Sequence, residues 1–309
     1  MNYAVLFSGQ ASQHPDMLPW LEAEPACSHA LALMAAHLGA DWRQQLQDPA
    51  TRSHNAFAQV LITGAALAAW TALQQRLPGA PAVVAGYSVG ELAAFGCAGV
   101  LTTAQAIDLA ALRAHLMDQA VDKLDTGLLA VTGLSEAMVQ ATCVNLGLEC
   151  AIRISPSQHV FAGTDAALNH ALPQLTARGA QCTRLEVRVA SHSSWMLPAI
   201  DAFWQALSSE PFGNPLCPVA LNATGTLCRQ PNQLRAGLSQ QLAHTVQWST
   251  CMDAIAERQV ACVLEVGGGT ALARMWNDQH PNIPARALDD FRQPQRAVDW
   301  LMKLGGSTG

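Results

Sequence analysis

Residues 82–91 read Ala-Val-Val-Ala-Gly-Tyr-Ser-Val-Gly-Glu, an apolar stretch that runs into a G-x-S-x-G pattern. Where a strand ends in a sharp turn and a helix begins, the serine at the apex keeps its hydroxyl exposed, which makes Ser88 a nucleophile candidate. Gly86 and Gly90 flank that turn with no Cβ to crowd strand against helix. The helix that starts near Val89 directs its positive end at any anion formed there. A serine also needs a base, and ten histidines are available. His29, His37, His115, His170 and His244 fall in helical segments as partly exposed residues. His192, in Ala190-Ser191-His192-Ser193-Ser194, stands at a junction that would overlook a cleft, and His14 beside the first loop is its rival.

These groups have to be carried by elements. The segment 1–123 alternates strand and helix: Tyr3–Phe7, a helix over about 56–76, the strand before Ser88 and a helix over about 103–122. Strands separated by helices predict a parallel sheet covered on both faces. The texture changes over 124–189. Strands are predicted at 127–132, 149–154, 159–162 and 181–189, with helices at 135–146 and 164–178. That order, βαββαβ, is the ferredoxin-like split unit. Beyond 190 the larger alternation resumes, with a strand at 262–266 followed by Gly267-Gly268-Gly269. The expected fold is therefore α/β: a parallel-sheet core of α/β-hydrolase-like type, residues 1–123 and 190–309, with an inserted ferredoxin-like subdomain, residues 124–189. The junction of the two forms a cleft, where substrates usually bind.

Composition narrows the functions. The chain has 309 residues, 17 basic against 23 acidic, and a net charge of −6. It carries no basic run, so nucleic acid is excluded as a partner, since phosphate binding needs clustered Lys and Arg. Only 13% of residues are charged, against about 25% in ordinary domains, which fits an Ala- and Gln-rich surface or a surface covered by partners. The nine cysteines include no C-x-x-C pair, which predicts reduced thiols, no metal site and a cytoplasmic protein. Residues 53–75 are free of acidic side chains and lysine, but Gln59, Thr63, Gly64 and Thr71 interrupt the stretch. A buried helix explains it better than a membrane span.

Six motifs in order then resemble one family. Gly9-Gln10-Ala11-Ser12-Gln13 is similar to the G-Q-G-S-Q of malonyl-CoA:acyl-carrier-protein transacylases, and Gly86-Tyr87-Ser88-Val89-Gly90-Glu91 to their G-H-S-x-G-E. Arg113, in Ala111-Leu112-Arg113, stands where the family has its substrate arginine. Ser191-His192, Val246-Gln247-Trp248 and Glu265-Val266-Gly267-Gly268-Gly269 resemble its S-H, V-Q-W and E-V-G-x-G. The resemblance implies that Ser88 attacks the thioester and His192 moves the proton. It also implies that the backbone N–H groups of Gln10 and Val89 form an oxyanion hole, that the backbone carbonyl of Gln247 orients the imidazole, and that Arg113 holds the malonyl carboxylate with paired hydrogen bonds. The implied substrates are malonyl-CoA and the prosthetic thiol arm of an acyl carrier protein, with no bound cofactor.

Departures from the family's pattern bear on this. Tyr87 replaces a histidine and cannot act as a base near neutral pH, which supports His192. Ala11 replaces a glycine, so the loop is expected to avoid φ > 0 there. Ile154 stands where many members have asparagine. Gly-Tyr-Ser-Val-Gly-Glu in a chain of this length is most similar to the transacylase subunit of bacterial malonate decarboxylase, with fatty-acid or polyketide synthesis as the alternative setting. Arg184 and Arg188 fit the phosphates of the carrier or CoA arm, or an ordinary solvated face. Gly267–Gly269 fits a tight turn better than a phosphate cradle, because no Lys-Ser/Thr follows. An α/β-hydrolase-type esterase or thioesterase shares G-x-S-x-G, but would place its histidine near the C-terminus and carry an H-G-G-G loop. His280 is the late histidine, and H-G-G-G is absent. A non-catalytic interaction subunit is the third reading, opposed by the presence of both Ser88 and His192.

Overall fold

The computed structural model describes residues 1–306, and of Glu136, Cys143 and Val144 the backbone. Residues 307–309, assigned above to the core, lie outside the described residues, as does the thiol of Cys143. Ten strands are described: β1 Tyr3–Phe7, β2 Val83–Gly86, β3 Thr126–Thr132, β4 Glu149–Ser155, β5 Gln158–Thr164, β6 Gln181–Arg184, β7 Val219–Ala220, β8 Leu227–Cys228, β9 Cys262–Val266 and β10 Ala285–Ala287. They form a six-stranded sheet in the order β10-β9-β1-β2-β7-β8 and a four-stranded sheet in the order β4-β5-β3-β6.

The large sheet is parallel apart from the edge pair β7/β8. Strands β1, β2 and β9 are buried along their whole length. That is why they read as unbroken apolar runs rather than alternating ones. The helix Asn55–Gln74 has the length and apolarity of a membrane span, but 89% of its apolar window is buried within the fold. It packs against helices Ser28–Leu38, Gly90–Cys97 and Thr103–Ala120.

The small sheet is antiparallel throughout, with helix Glu136–Leu146 between β3 and β4 and helix Asp165–Ala177 between β5 and β6. Its side chains alternate between two faces, as a period of two requires. Leu129, Val131 and Phe161 join Leu168 and Leu175 in a small core of their own. Leu128, Ile152, Val160 and Ala162 face the other way and belong to the main core. Main-chain bonds across the seam reinforce this packing: Arg153 N–H donates to Val246 O at 2.9 Å and Val246 N–H to Ala151 O at 2.8 Å.

The last strand of this unit ends at Arg184, five residues before the expected Val189. Among the described strands its neighbour is β3, and after Leu185 N–H donates to Leu128 O at 3.1 Å the chain leaves the ladder although β3 itself continues to Thr126. The Thr126 hydroxyl then holds the departing chain, donating to Arg188 O at 3.3 Å and accepting from Ala190 N–H at 3.1 Å. This guided exit delivers residues 190–192 to the seam between the two sheets.

Candidate active site

Strand β2 stops at Gly86 and the next helix begins at Gly90, so the reversal takes three residues. A Cβ on Gly86 would lie 2.0 Å from the carbonyl carbon and oxygen of Gly90, and one on Gly90 would lie 2.4 Å from Phe7 O. No side chain fits at either place, which accounts for both glycines of G-x-S-x-G. Ser88 at the apex has φ +55°, a left-handed conformation that costs a non-glycine residue about 1–2 kcal/mol.

The structure brings His192 to this serine: Ser88 Oγ and His192 Nε2 are 2.7 Å apart. His192 also lies at positive φ, +61°, and its N–H donates to Leu242 O at 2.8 Å. His14, the rival, instead meets Asp289 Oδ2 through Nε2 at 2.6 Å. His192 is 1% exposed. Burial, followed by the charge of Arg113, pushes its pKa down to about 3, with the bond to Gln241 opposing. The imidazole is therefore neutral at physiological pH and free to accept a proton through Nε2.

The orienting carbonyl is a correction. His192 Nδ1 donates to the main-chain oxygen of Gln241 at 2.6 Å, not to that of Gln247. Gln247 stands at the start of helix Trp248–Ala256, and its carbonyl accepts Cys251 N–H at 2.9 Å as the first bond of that helix. Its own N–H is spent on Asn222 O at 2.8 Å. Gln241 lies just past the end of helix Pro231–Gln240, where carbonyls are left over for other partners.

Gln10, Ser88 and His192 line one narrow cleft, walled by Leu128, Ile152, Leu185 and Val187. Among the described residues, neither Gln10 N–H nor Val89 N–H donates within the chain. Tyr87 is partly buried in the same wall, with its phenol pKa pushed up by desolvation, and its ring meets Trp248 edge-to-face at 5.1 Å. A separate cavity of about 540 Å³ also touches His192 and is bounded by Leu148, Arg153 and His244.

Ala11 overturns the expectation for its loop: it adopts φ +73° despite its Cβ. The neighbouring turn is held by Ser12 Oγ donating to Gly9 O at 2.6 Å. Downstream, Asp289 gathers three donors, Leu18 N–H at 2.6 Å, Gly269 N–H at 2.7 Å and the His14 ring. The Gly269 amide of the glycine run is thus committed within the chain. Arg184 pairs with Asp165 at 2.5 Å.

Arg113 is 1% exposed, on helix Thr103–Ala120. Its terminal nitrogens donate to Gln59 Oε1 at 2.7 Å and Gln241 Oε1 at 2.8 Å, while its Nε–H has no partner among the described residues. Burial lowers its pKa to about 10, so the guanidinium stays charged. A buried cation held only by neutral amide oxygens lacks a counter-ion in contact. Glu91 reaches it through Gln241, whose Nε2 donates to Glu91 Oε2 at 2.7 Å. Burial pushes the Glu91 carboxyl above its usual range, and its hydrogen bonds from Asn222 and Gln241 oppose that shift.

Four residues of this network, Gln59, Glu91, Asn222 and Gln241, were given no role in the sequence reading. Gln59 offered one signal, a polar side chain in the middle of an apolar, buried helix.

The arrangement defines a class: the chain belongs to the family described as the acyl transferase domain, which it matches over residues 5–281. Among individual proteins it is 32% identical over 296 residues to the malonyl CoA-acyl carrier protein transacylase of Salmonella typhimurium, covering 93% of this chain and 96% of that protein. The structure of FabD from Acinetobacter baumannii superposes with a TM-score of 0.89 at 30% identity, covering 98% of each chain. A malonyl-transacylase solved in complex with its type II PKS acyl-carrier protein gives a TM-score of 0.90 at 30% identity, covering 97% of this chain and 99% of that one.

Proposed function

We propose that this chain is a malonyl-CoA:acyl-carrier-protein transacylase that passes malonyl through an ester on Ser88. The observation that carries the reading is the contact of Ser88 Oγ with a buried, neutral His192 beside a buried arginine. His192 Nε2 takes the hydroxyl proton as Oγ bonds to the thioester carbonyl carbon. The carbonyl oxygen gathers negative charge facing the Gln10 and Val89 N–H groups, each such donor being worth about 3–4 kcal/mol in the transition state. As the C–S bond breaks, His192 returns its proton to the departing CoA thiol. The carrier's phosphopantetheine-type thiol then gives its proton to His192, attacks the ester, and Ser88 recovers its own proton as it leaves. Arg113 selects the acyl group by pairing with the free carboxylate that acetyl lacks.

The fold supports the same reading: we take residues 1–123 and 190–309 as an α/β-hydrolase-like core and 124–189 as a ferredoxin-like subdomain, with the cleft at their seam. The 540 Å³ cavity beside His192 is the entry for the thioester arm. For the biological setting, Gly-Tyr-Ser-Val-Gly-Glu supports priming of the malonate decarboxylase carrier in the cytoplasm. The carrier complex of a type II PKS relative favours fatty-acid or polyketide synthesis as the second reading.

The test is peptide mass spectrometry after brief mixing with malonyl-CoA or acetyl-CoA. A malonyl adduct on the Ser88 peptide, absent from Ser88→Ala and far weaker with acetyl-CoA, is expected. Full malonyl transfer by Ser88→Ala would remove the nucleophile assignment. The carrier that discharges the adduct fastest identifies the pathway.

A further inference from the structure

Both peptide groups of Ser88 are gripped by buried amide side chains that the reaction steps above leave unused. Ser88 N–H donates to Asn222 Oδ1 at 2.9 Å, and Ser88 C=O accepts from Gln241 Nε2 at 2.8 Å. Asn222 Nδ2 in turn donates to Gly86 O at 2.7 Å. Glu91 ties the two amides together: Oε1 accepts Asn222 N–H at 2.8 Å and Oε2 accepts Gln241 Nε2 at 2.7 Å. Glu91, Asn222 and Gln241 are each 0% exposed, so none of these bonds is exchanged with water.

Gln241 is the centre of the group. Its main-chain oxygen faces His192, its amide nitrogen faces Ser88 and Glu91, and its amide oxygen faces Arg113. Oxygen toward the cation and nitrogen toward the carbonyl and carboxylate is one flip state, and the reverse would set like against like at three contacts.

We propose that the Gln241 side chain is a positioning residue that couples recognition of the substrate carboxylate at Arg113 to the geometry of Ser88, with Glu91 and Asn222 completing the clamp. The inference rests on the acyl-transfer reading above. A carboxylate arriving at Arg113 competes with Gln59 and Gln241 for the same terminal nitrogens. The amide it disturbs is bonded at its other end to the carbonyl of the nucleophile. A malonyl group therefore reports its presence to Ser88 through a single side chain, and an acetyl group does not.

Gln241→Met tests this, because it preserves the main-chain carbonyl for His192 and roughly the side-chain volume while removing the amide. Single-turnover acylation of Ser88 by malonyl-CoA is expected to slow by roughly tenfold or more, the scale of one buried hydrogen bond to a charged group, in kcat rather than KM. The slow acylation by acetyl-CoA and labelling by phenylmethanesulfonyl fluoride, neither of which offers Arg113 a carboxylate, should fall by clearly less. Glu91→Gln is the second variant. Its new NH2 meets the Gln241 NH2, turns that amide over and presents a donor to Arg113, so the malonyl-to-acetyl ratio should fall again. An unchanged ratio in folded Gln241→Met or Glu91→Gln protein, or equal losses for malonyl, acetyl and the sulfonyl fluoride, overturns the coupling and leaves only structural support. Absence of any malonyl adduct in the unaltered protein would instead remove the acyl-transfer reading itself.

Discussion

The main-chain carbonyl of Gln241 meets Nδ1 of His192 at 2.6 Å, in the position that a carboxylate occupies in a Ser-His-Asp triad. A neutral carbonyl fixes the ring and its tautomer but supplies no countercharge to an imidazolium. Burial, and after it the nearby Arg113 cation, leave His192 neutral down to a pKa of about 3, with the bond to Gln241 opposing.

The rate of Ser88 acylation should therefore stay level from about pH 8 to about pH 5, with no inflection near the free histidine value of about 6.5. Because the folded pKa lies below the unfolded one, the unfolded chain takes up a proton that the native chain does not. Stability contributed by neutral His192 is thus present above about pH 6.5 and falls as pH drops below it. Acid should end activity by unfolding rather than by titration. Quenched-flow acylation and circular dichroism on the same samples check this, and a rate falling through pH 6.5 while the fold persists would contradict it.

Arg113→Ala should lower malonyl acylation by an amount corresponding to about 2–5 kcal/mol and narrow the malonyl-to-acetyl preference. The substitution also strands the Gln59 and Gln241 amide oxygens, which costs about 1–3 kcal/mol of stability for each acceptor left dry. Competition between the two thioesters for the Ser88 peptide reads the preference directly. If it does not change, another group reads the carboxylate.

Ala11 carries φ +73° in the loop that presents Gln10. Ala11→Gly should remove about 1 kcal/mol of backbone strain and raise the urea midpoint. The acylation rate should be retained, since no side-chain contact is lost. A lower midpoint would mean that the alanine's stiffening of the unfolded chain outweighs the strain.

Glu265 is buried at the end of β9, where its carboxyl accepts Ser8 Oγ–H at 3.0 Å and Ala273 N–H at 2.9 Å. Burial foremost raises its pKa to about 7. The folded chain thus keeps a proton between about pH 4.5 and 7 that the unfolded chain releases, so this residue costs stability increasingly as pH rises through that window. Glu265→Gln can donate to Ser8 Oγ and accept from Ala273. It should match the parent protein near pH 5 and melt higher at pH 8. Equal melting temperatures at pH 8 would show that Glu265 carries no such penalty.

Much of the candidate nucleophile turn was legible because its pattern is local. Gly86, Ser88 and Gly90 lie within five residues and a Cβ on Gly86 would meet Gly90 inside the turn, whereas the space that Gly90 needs is set by Phe7 O on β1, remote in sequence. The hairpin around Ser155–Gln158 and the unbroken apolar runs of β1, β2 and β9 are likewise patterns of neighbours. The end of β6 was not legible. It is set by where the chain leaves the β3 ladder after Leu185 and is taken over by the Thr126 hydroxyl, and β3 lies some fifty residues earlier in the chain.

Gln247 and Gln241 show the same division at the site. The Val-Gln-Trp motif marks a helix start, yet whether a carbonyl is free to face His192 depends on whether the helix has already consumed it. Gln59, Glu91, Asn222 and Gln241 find Arg113, Ser88 and one another across separations of 54 to 153 residues. From its own sequence, the chain determined the nucleophile turn, the alternation of strands and helices and the family motifs, because these follow from steric limits and periodicity over a few residues. Only the tertiary structure decided which carbonyl orients His192, which amides hold Ser88 and what surrounds Arg113. Hydrogen bonds between distant segments depend on where burial and sheet pairing bring them, and short-range patterning carries no trace of that.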